Sequence, residues 1–338
     1  MNDARLQAAY TSALGEPAGT ATRLPGGAGN RIYWRVCSLE GARSAIVMEL
    51  PEDPHKSEEA SKEHAPPELP FLNVYRYLTR IGVRVPHIYL DASHDGFLVI
   101  EDLTDRTFGR ALREGADRHD LYAAAIDALA HLRAHAEREP DPTCVAWSRA
   151  FDYDLYHWEF EHFIEYGLLA RGARPGDAEL QALRREFARI SLELSNAPRS
   201  FTHRDYQSSN IMVLPDGEQV IIDFQDALQG PRQYDLVALL RDSYVELPWR
   251  LVDEMLQRYC SAMGISDAAA FIAFFDLLTV QRKLKDAARF VFIDQVKKNP
   301  SFLPHIPASL RYVRDALGRR PDLREVREIL VKHVPELR

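Results

Sequence analysis

The sequence is poor in cysteine. Cys37, Cys144 and Cys260 stand far apart in a chain of 338 residues. An odd, scattered set makes neither a disulfide framework nor a paired metal-ligand spacing, so the expected compartment is a reducing cytoplasm. Long apolar runs are also missing: none approaches the ~20 residues that span a bilayer. The opening MNDARLQAAY lacks the charged-then-apolar order of a signal peptide. No membrane role is expected. Positive charge is not in excess either, with 42 Lys and Arg against 50 Asp and Glu and a formal net charge of −8. That balance disfavours a general nucleic-acid binder and leaves small substrates open. No internal repeat is visible.

What remains is the composition of an ordinary globular protein, 46% hydrophobic and 27% charged. The chain is too long for one core, so two lobes are expected. The first ~100 residues read as strand-rich. RIYWRV alternates, with Ile32, Trp34 and Val36 on one face, and SAIVMEL and GFLVIEDL are apolar runs of strand length. Ahead of them lies LPGGAGN, Leu24–Asn30, whose glycines allow a backbone to approach a ligand closely. Between Leu50 and Phe71 five prolines and eight Asp, Glu or Lys residues predict a long mobile loop. FLNVYRYLTRIG predicts a helix with Phe71, Val74, Tyr75 and Leu78 on one face.

Beyond Leu103 the pattern turns helical. Leu121, Ala125, Leu129, Leu132 and Ala136 mark one helix, and Phe160, Phe163, Ile164 and Leu168 another. One β island interrupts them: NIMVL and QVIIDF flank PDG, a turn in which Pro presets φ and Gly accepts a positive φ. The expected fold class is α+β and bilobal. A β-rich N-terminal lobe covers 1–103, a connector lies near 99–103, and a larger, mostly helical lobe covers 104–338.

The chemistry concentrates in FTHRDYQSSN, residues 201–210. Phosphoryl transfer from ATP needs a base to orient the attacking hydroxyl and oxygen ligands to hold Mg²⁺ against the phosphates. Asp205 and Asn210 stand at the spacing H-R-D-x-x-x-x-N, and Asp223 follows 13 residues after Asn210. A tight hairpin returns the chain to its starting point, so Asn210 and Asp223 are expected to be neighbours. Asp205 then takes the base's role, and Asn210 and Asp223 the metal's ligands. Singly, each has a plain structural reading: Asp223 as a turn residue, Asp235 as a helix cap. The joint pattern is what points to a phosphotransferase.

With those residues in view, THRDYQSSNIMV…VIIDFQDALQGPRQYDLVALLRD resembles the aminoglycoside phosphotransferase and choline kinase superfamily, which has a protein-kinase-like fold. Within it the chain is most similar to the anomeric sugar kinases acting on N-acetylmuramate and N-acetylglucosamine. That similarity rests on IIDFQDA, GPRQYDLVALLRDSY, QRKLKDAARFVF and GGAGNRIYWR, and extends over about residues 20–320. The resemblance implies an ATP- and Mg²⁺-dependent, cytoplasmic and monomeric kinase of small sugars in cell-wall sugar recycling. It implies that Gly26, Gly27, Gly29 and Asn30 cover the ATP phosphates and that backbone near Glu101–Leu103 bonds adenine. His203 would brace the loop, and Asp235 would accept hydrogen bonds from the loop's backbone.

One departure stands out. The strand that carries a phosphate-pairing Lys in kinase-like folds reads AIVMEL, with Met48 and Glu49 at that place. The anomeric sugar kinases also tend to lack this Lys. Arg31 or Arg35 would be the substitute cation, or both would be solvated strand faces. For the sugar, Glu159, Asp226 and Arg241 are candidates, with Arg204, Arg241 or Arg282 for a lactyl carboxylate. Trp158 and Tyr206 are candidates for stacking on a pyranose, although core packing is the preferred reading of Trp158. Two other functions stay open: a phosphotransferase for an aminoglycoside or choline-like alcohol, favoured by the acidic FDYDLYHWEFEHFIEY, and a nucleotide-binding scaffold without catalysis, favoured by the missing Lys.

Overall fold

The structure is a computed structural model of the whole chain, and it describes residues 1–25, 31–51 and 68–338. The expected glycine loop at 26–30 and most of the expected loop between Leu50 and Phe71 lie outside the described residues. The chain forms two compact units: Met1–Thr107 together with Ile211–Asp226, and Phe108–Asn210 together with Ala227–Arg338. The sequence alone placed the division at Leu103 and gave the PDG hairpin to the helical lobe.

The first unit opens with a helix that the strand-rich reading did not foresee, α1 (Asp3–Leu14). Asn2 caps it by accepting from the Arg5 N–H, and Gly15 ends it in the left-handed conformation. Strands β1 (Ala18–Arg23), β2 (Ile32–Ser38) and β3 (Ser44–Glu49) follow, then α2 (Pro70–Arg80), β4 (Ile88–Ala92) and β5 (Phe97–Glu101). They build one antiparallel sheet in the order β1-β2-β3-β5-β4. Alternation puts Val36, Ala45, Val47 and Val99 on one face, where they bury Leu6, Ala9 and Tyr10 of α1. Trp34 packs against the edge of that cluster. In α2 the buried stripe is Phe71, Leu72, Val74, Tyr77 and Leu78. Tyr77 therefore takes the place expected of Tyr75, whose hydroxyl instead accepts weakly from the Ile88 N–H.

The second unit begins with α3 (Phe108–Arg113), α4 (Arg118–Arg138), α5 (Tyr153–His162) and α6 (Asp177–Ser195). A π-helical turn at Phe163–Leu168 extends α5 and buries Phe163, Ile164 and Leu168. Strand β6 (Arg199–Thr202) leads into the HRD loop. The chain then forms the first unit's hairpin, β7 (Ile211–Val213) and β8 (Gln219–Ile221), and returns as β9 (Leu228–Pro231), which pairs antiparallel with β6. That β6–β9 pair belongs to the helical unit and has no counterpart in the sequence reading, which showed only the hairpin. Helices α7 (Gln233–Leu240), α8 (Trp249–Ala262), α9 (Ala268–Lys297), α10 (Ile306–Arg319) and α11 (Arg324–His333) complete the unit. The fold class is α+β, as the sequence implied. Among the described residues no helix is long and apolar enough to cross a membrane.

Candidate active site

Side chains from distant elements tie down the backbone of the HRD loop. Asp235, fully buried at the start of α7, accepts from the backbone N–H groups of His203 and Arg204, both at 2.9 Å. Its charge is met by Arg133 of α4 at 3.2 Å, also fully buried. Asp242, just beyond α7, accepts from the Ser208 N–H at 2.9 Å. Burial pushes the Asp242 carboxyl up, against the opposing pull of the Ser208 and Tyr244 hydrogen bonds. Asn210 turns its amide nitrogen to the Asp205 carbonyl at 2.9 Å. That fixes the amide so that its oxygen faces the Ser209 hydroxyl and keeps a lone pair for a further partner. His203 is buried, with its ring edge-on to Tyr206. Tyr206 is core: its hydroxyl donates to the Ala125 carbonyl, so it offers no stacking face.

Asp205 itself stays open, its side chain 38% exposed. Arg282 of α9 donates to its Oδ1 at 3.2 Å. Burial would raise the Asp205 carboxyl, but Arg282, Lys285, Arg204 and His203 together hold it below the usual carboxylate range. It is therefore ionised and able to accept a proton at neutral pH. Polar groups gather on the same stretch of α9. Lys285 and Lys283 share Asp286 at 3.4 and 2.7 Å, and Gln281 donates to the buried Glu159 of α5 at 2.5 Å. Sequence reasoning singled out Glu159 but missed Gln281, Lys285 and Asp286. Their spacing reads as a charged, solvated helix face.

Two other sugar candidates fall elsewhere. Arg241 is buried, with its guanidinium over the rings of Trp249, Phe275 and Tyr312 at 4.7, 5.8 and 5.1 Å. Burial lowers its pKa to about 10. Among these rings it occupies a packing position, not the open one that the sequence suggests for a sugar partner. Trp158, preferred as a core residue, is 48% exposed and stacks on His162. It lines a surface cleft of about 400 Å³ with Glu161, Glu165 and Arg184, and none of the loop residues lines that cleft.

In the first unit, β7 and β8 pair with Ile211 opposite Ile221. Gly217 takes φ +91° in the PDG turn. Asn210 precedes β7 by one residue, and Asp223 follows the paired end of β8 by two. Asp223 is exposed, holds φ +65° and accepts from the Gln225 amide at 2.8 Å. The same amide reaches Asp226 at 3.2 Å. Arg31 lies over the Phe71 ring. Glu101, at the end of β5, takes both nitrogens of an Arg84 fork at 2.6 and 2.8 Å, and Leu103 is buried with Met212 and Val220. Arg35 is, from the sequence, a candidate phosphate cation. Its guanidinium is instead shared by Asp102 and Asp105, which leaves its charge neutralised.

Against known proteins, the profile of the phosphotransferase enzyme family matches residues 20–275. The N-acetylmuramate/N-acetylglucosamine kinase of Pseudomonas putida is 32% identical over 337 residues, covering 95% of this chain and 91% of that protein. The enzyme of the same name from Pseudomonas aeruginosa is 31% identical over 300 residues, covering 86% and 82%. Among solved structures, the choline kinase LicA of Streptococcus pneumoniae superposes with a TM-score of 0.61 at 14% identity, covering 93% of this chain and 99% of that one. That last likeness is one of fold.

Proposed function

The chain belongs to the phosphotransferase enzyme family, and from that premise we propose that it is an ATP-dependent kinase of the anomeric hydroxyl of N-acetylmuramate, N-acetylglucosamine or both. The observation that carries the catalytic part is Asp205: an ionised carboxylate, open to solvent, on a loop anchored by Asp235, Asp242 and Arg282. As the new O–P bond forms and the bond to ADP breaks, the acceptor's O–H proton passes to Asp205. A carboxylate of low basicity suits an anomeric hydroxyl, which is more acidic than an ordinary alcohol.

The names of the two Pseudomonas relatives support the sugar. Glu159 and Asp226 are the proposed partners of sugar hydroxyls. Gly26, Gly27, Gly29, Asn30 and Arg31 are proposed for the ATP phosphates, and the backbone at Glu101–Leu103 for adenine. The hard oxygen donors of Asn210 and Asp223 suit Mg²⁺, and the pinned Asn210 amide leaves its oxygen as the ligating atom. When bound, the cation neutralises charge on the phosphates. A cytoplasmic site of action is proposed from the scattered, odd set of three cysteines.

The test is ADP release over a panel of N-acetylmuramate, N-acetylglucosamine, an aminoglycoside and choline, with products read by phosphorus NMR. Turnover of the amino sugars with loss of the reducing end is expected. The Asp205→Asn variant should lose kcat by roughly 10²–10⁴-fold. ADP release only with substrates blocked at C1 would sink the anomeric assignment.

A further inference from the structure

We propose that Arg282 is a positioning residue for the transfer: its guanidinium ties one oxygen of the Asp205 carboxylate and the carbonyl of Arg204 to helix α9, and so presents the other oxygen to the acceptor. The inference rests on Asp205 being the base. Arg282 is 1% exposed whereas Asp205 keeps 38% of its side-chain surface, so the guanidinium lies behind the carboxylate and the open side is left to substrate. One guanidinium nitrogen donates to Asp205 Oδ1 at 3.2 Å and another to the Arg204 carbonyl at 2.8 Å. No described residue donates to Asp205 Oδ2. Two acceptors on consecutive residues are met by one planar fork, which fixes both the carboxylate and the peptide that carries it. A single ammonium cannot match that fork.

The peptide needs holding. Arg204 adopts φ +79°, a left-handed conformation that an L-residue keeps only where its surroundings over-determine it. Asp235 holds the N–H side of that residue and Arg282 the carbonyl side. The guanidinium is itself fixed before substrate arrives. Its face lies over the Tyr234 ring at 4.8 Å, and Asp286, one turn further along α9, stands 3.9 Å away. Such a base is aimed in advance, and a misplacement of about 1 Å is enough to cost on the order of 10²-fold in rate.

The test places Arg282→Met and Arg282→Lys in the wild-type and in the Asp205→Asn background, with kcat, both KM values and melting curves for each. In the wild-type background Arg282→Met should lower kcat about 10²-fold, with KM for ATP and for sugar within about threefold, and Arg282→Lys should fall between. In the Asp205→Asn background Arg282→Met should change residual turnover by less than about threefold, because no base is left to aim. A folded Arg282→Met enzyme with kcat within about threefold of wild type overturns the proposal. So does an equal loss in both backgrounds, which would mean that Arg282 acts on substrate or on the fold at large. If Arg282→Met melts below the assay temperature, Arg282→Lys decides by the same criteria. Wild-type turnover by Asp205→Asn alone removes the base assignment, and this proposal with it.

Discussion

At the scale of single residues, polar groups were the hardest to place from sequence. In the sequence Arg241, Arg35 and Arg282 all stand as candidate cations for the sugar, its carboxylate or the phosphates. The fold gives each a different fate: a cage of three rings, a pair of carboxylates, and the back of the proposed base. Glu101 shows the same effect in a form that can be measured. Burial would raise its carboxyl, but the Arg84 fork and the His87 N–H more than offset this and hold it below its ordinary value. A carboxylate depressed in the folded state stabilises above the ordinary Glu range, near pH 4.3, and that stability is lost as pH falls through the folded value. Glu101→Gln should therefore destabilise the protein by roughly 1 kcal/mol at pH 7, the pair being partly solvated. The gap to wild type should close below about pH 4. Melts of both proteins across that range check the sign, and a gap constant with pH would refute it.

At the scale of elements, local chemistry was legible and pairing was not. The PDG turn announced the hairpin because Pro and Gly set backbone angles by themselves, and Gly217 has the positive φ that its identity permits. Nothing within 4 Å would meet a Cβ there, so Gly217→Ala isolates backbone strain. It should destabilise by about 1–2 kcal/mol. If the turn also sets where Asp223 lies, kcat should drop more than KM. A chemical melt and steady-state kinetics separate the two effects. The β6–β9 pair gave no such signal. Each strand is four residues long, and the loop and hairpin lie between them, so no periodicity or turn dipeptide joins them. Helix α9 was visible as a helix, but its working face was not. Gln281 and Lys285 carry no signal in the sequence, and Arg282 stands there only as one of three arginines for a carboxylate, until α5 and α7 cover that face.

At the scale of the whole molecule, folding and ligand binding are one linked system. A nucleotide that binds only the native state adds about 2.7 kcal/mol of stability at a hundredfold excess over its Kd. For a chain of this size that corresponds to roughly 4 °C in Tm. ATP with Mg²⁺ should raise Tm by about that amount, and chelating the metal should remove most of the rise. An Asn210→Ala or Asp223→Ala variant should lose the metal-dependent part alone. Calorimetric scans with and without chelator read this directly, and a shift indifferent to metal would count against Asn210 and Asp223 as ligands.

The α+β class, the sheet in the first unit, the hairpin and the HRD loop could all be read from the sequence. Alternation, helical spacing and turn residues act between near neighbours, and HRDxxxxN keeps its groups within eight residues. The tertiary structure alone decided which polar groups serve the loop. Asp235, Asp242 and Arg282 reach it from 30 to nearly 80 positions away. Their burial and their partners are properties of packing between distant helices, and a hydrogen bond across that packing leaves no period in the chain. The sequence by itself marked Asp205; only the fold showed what stands behind it.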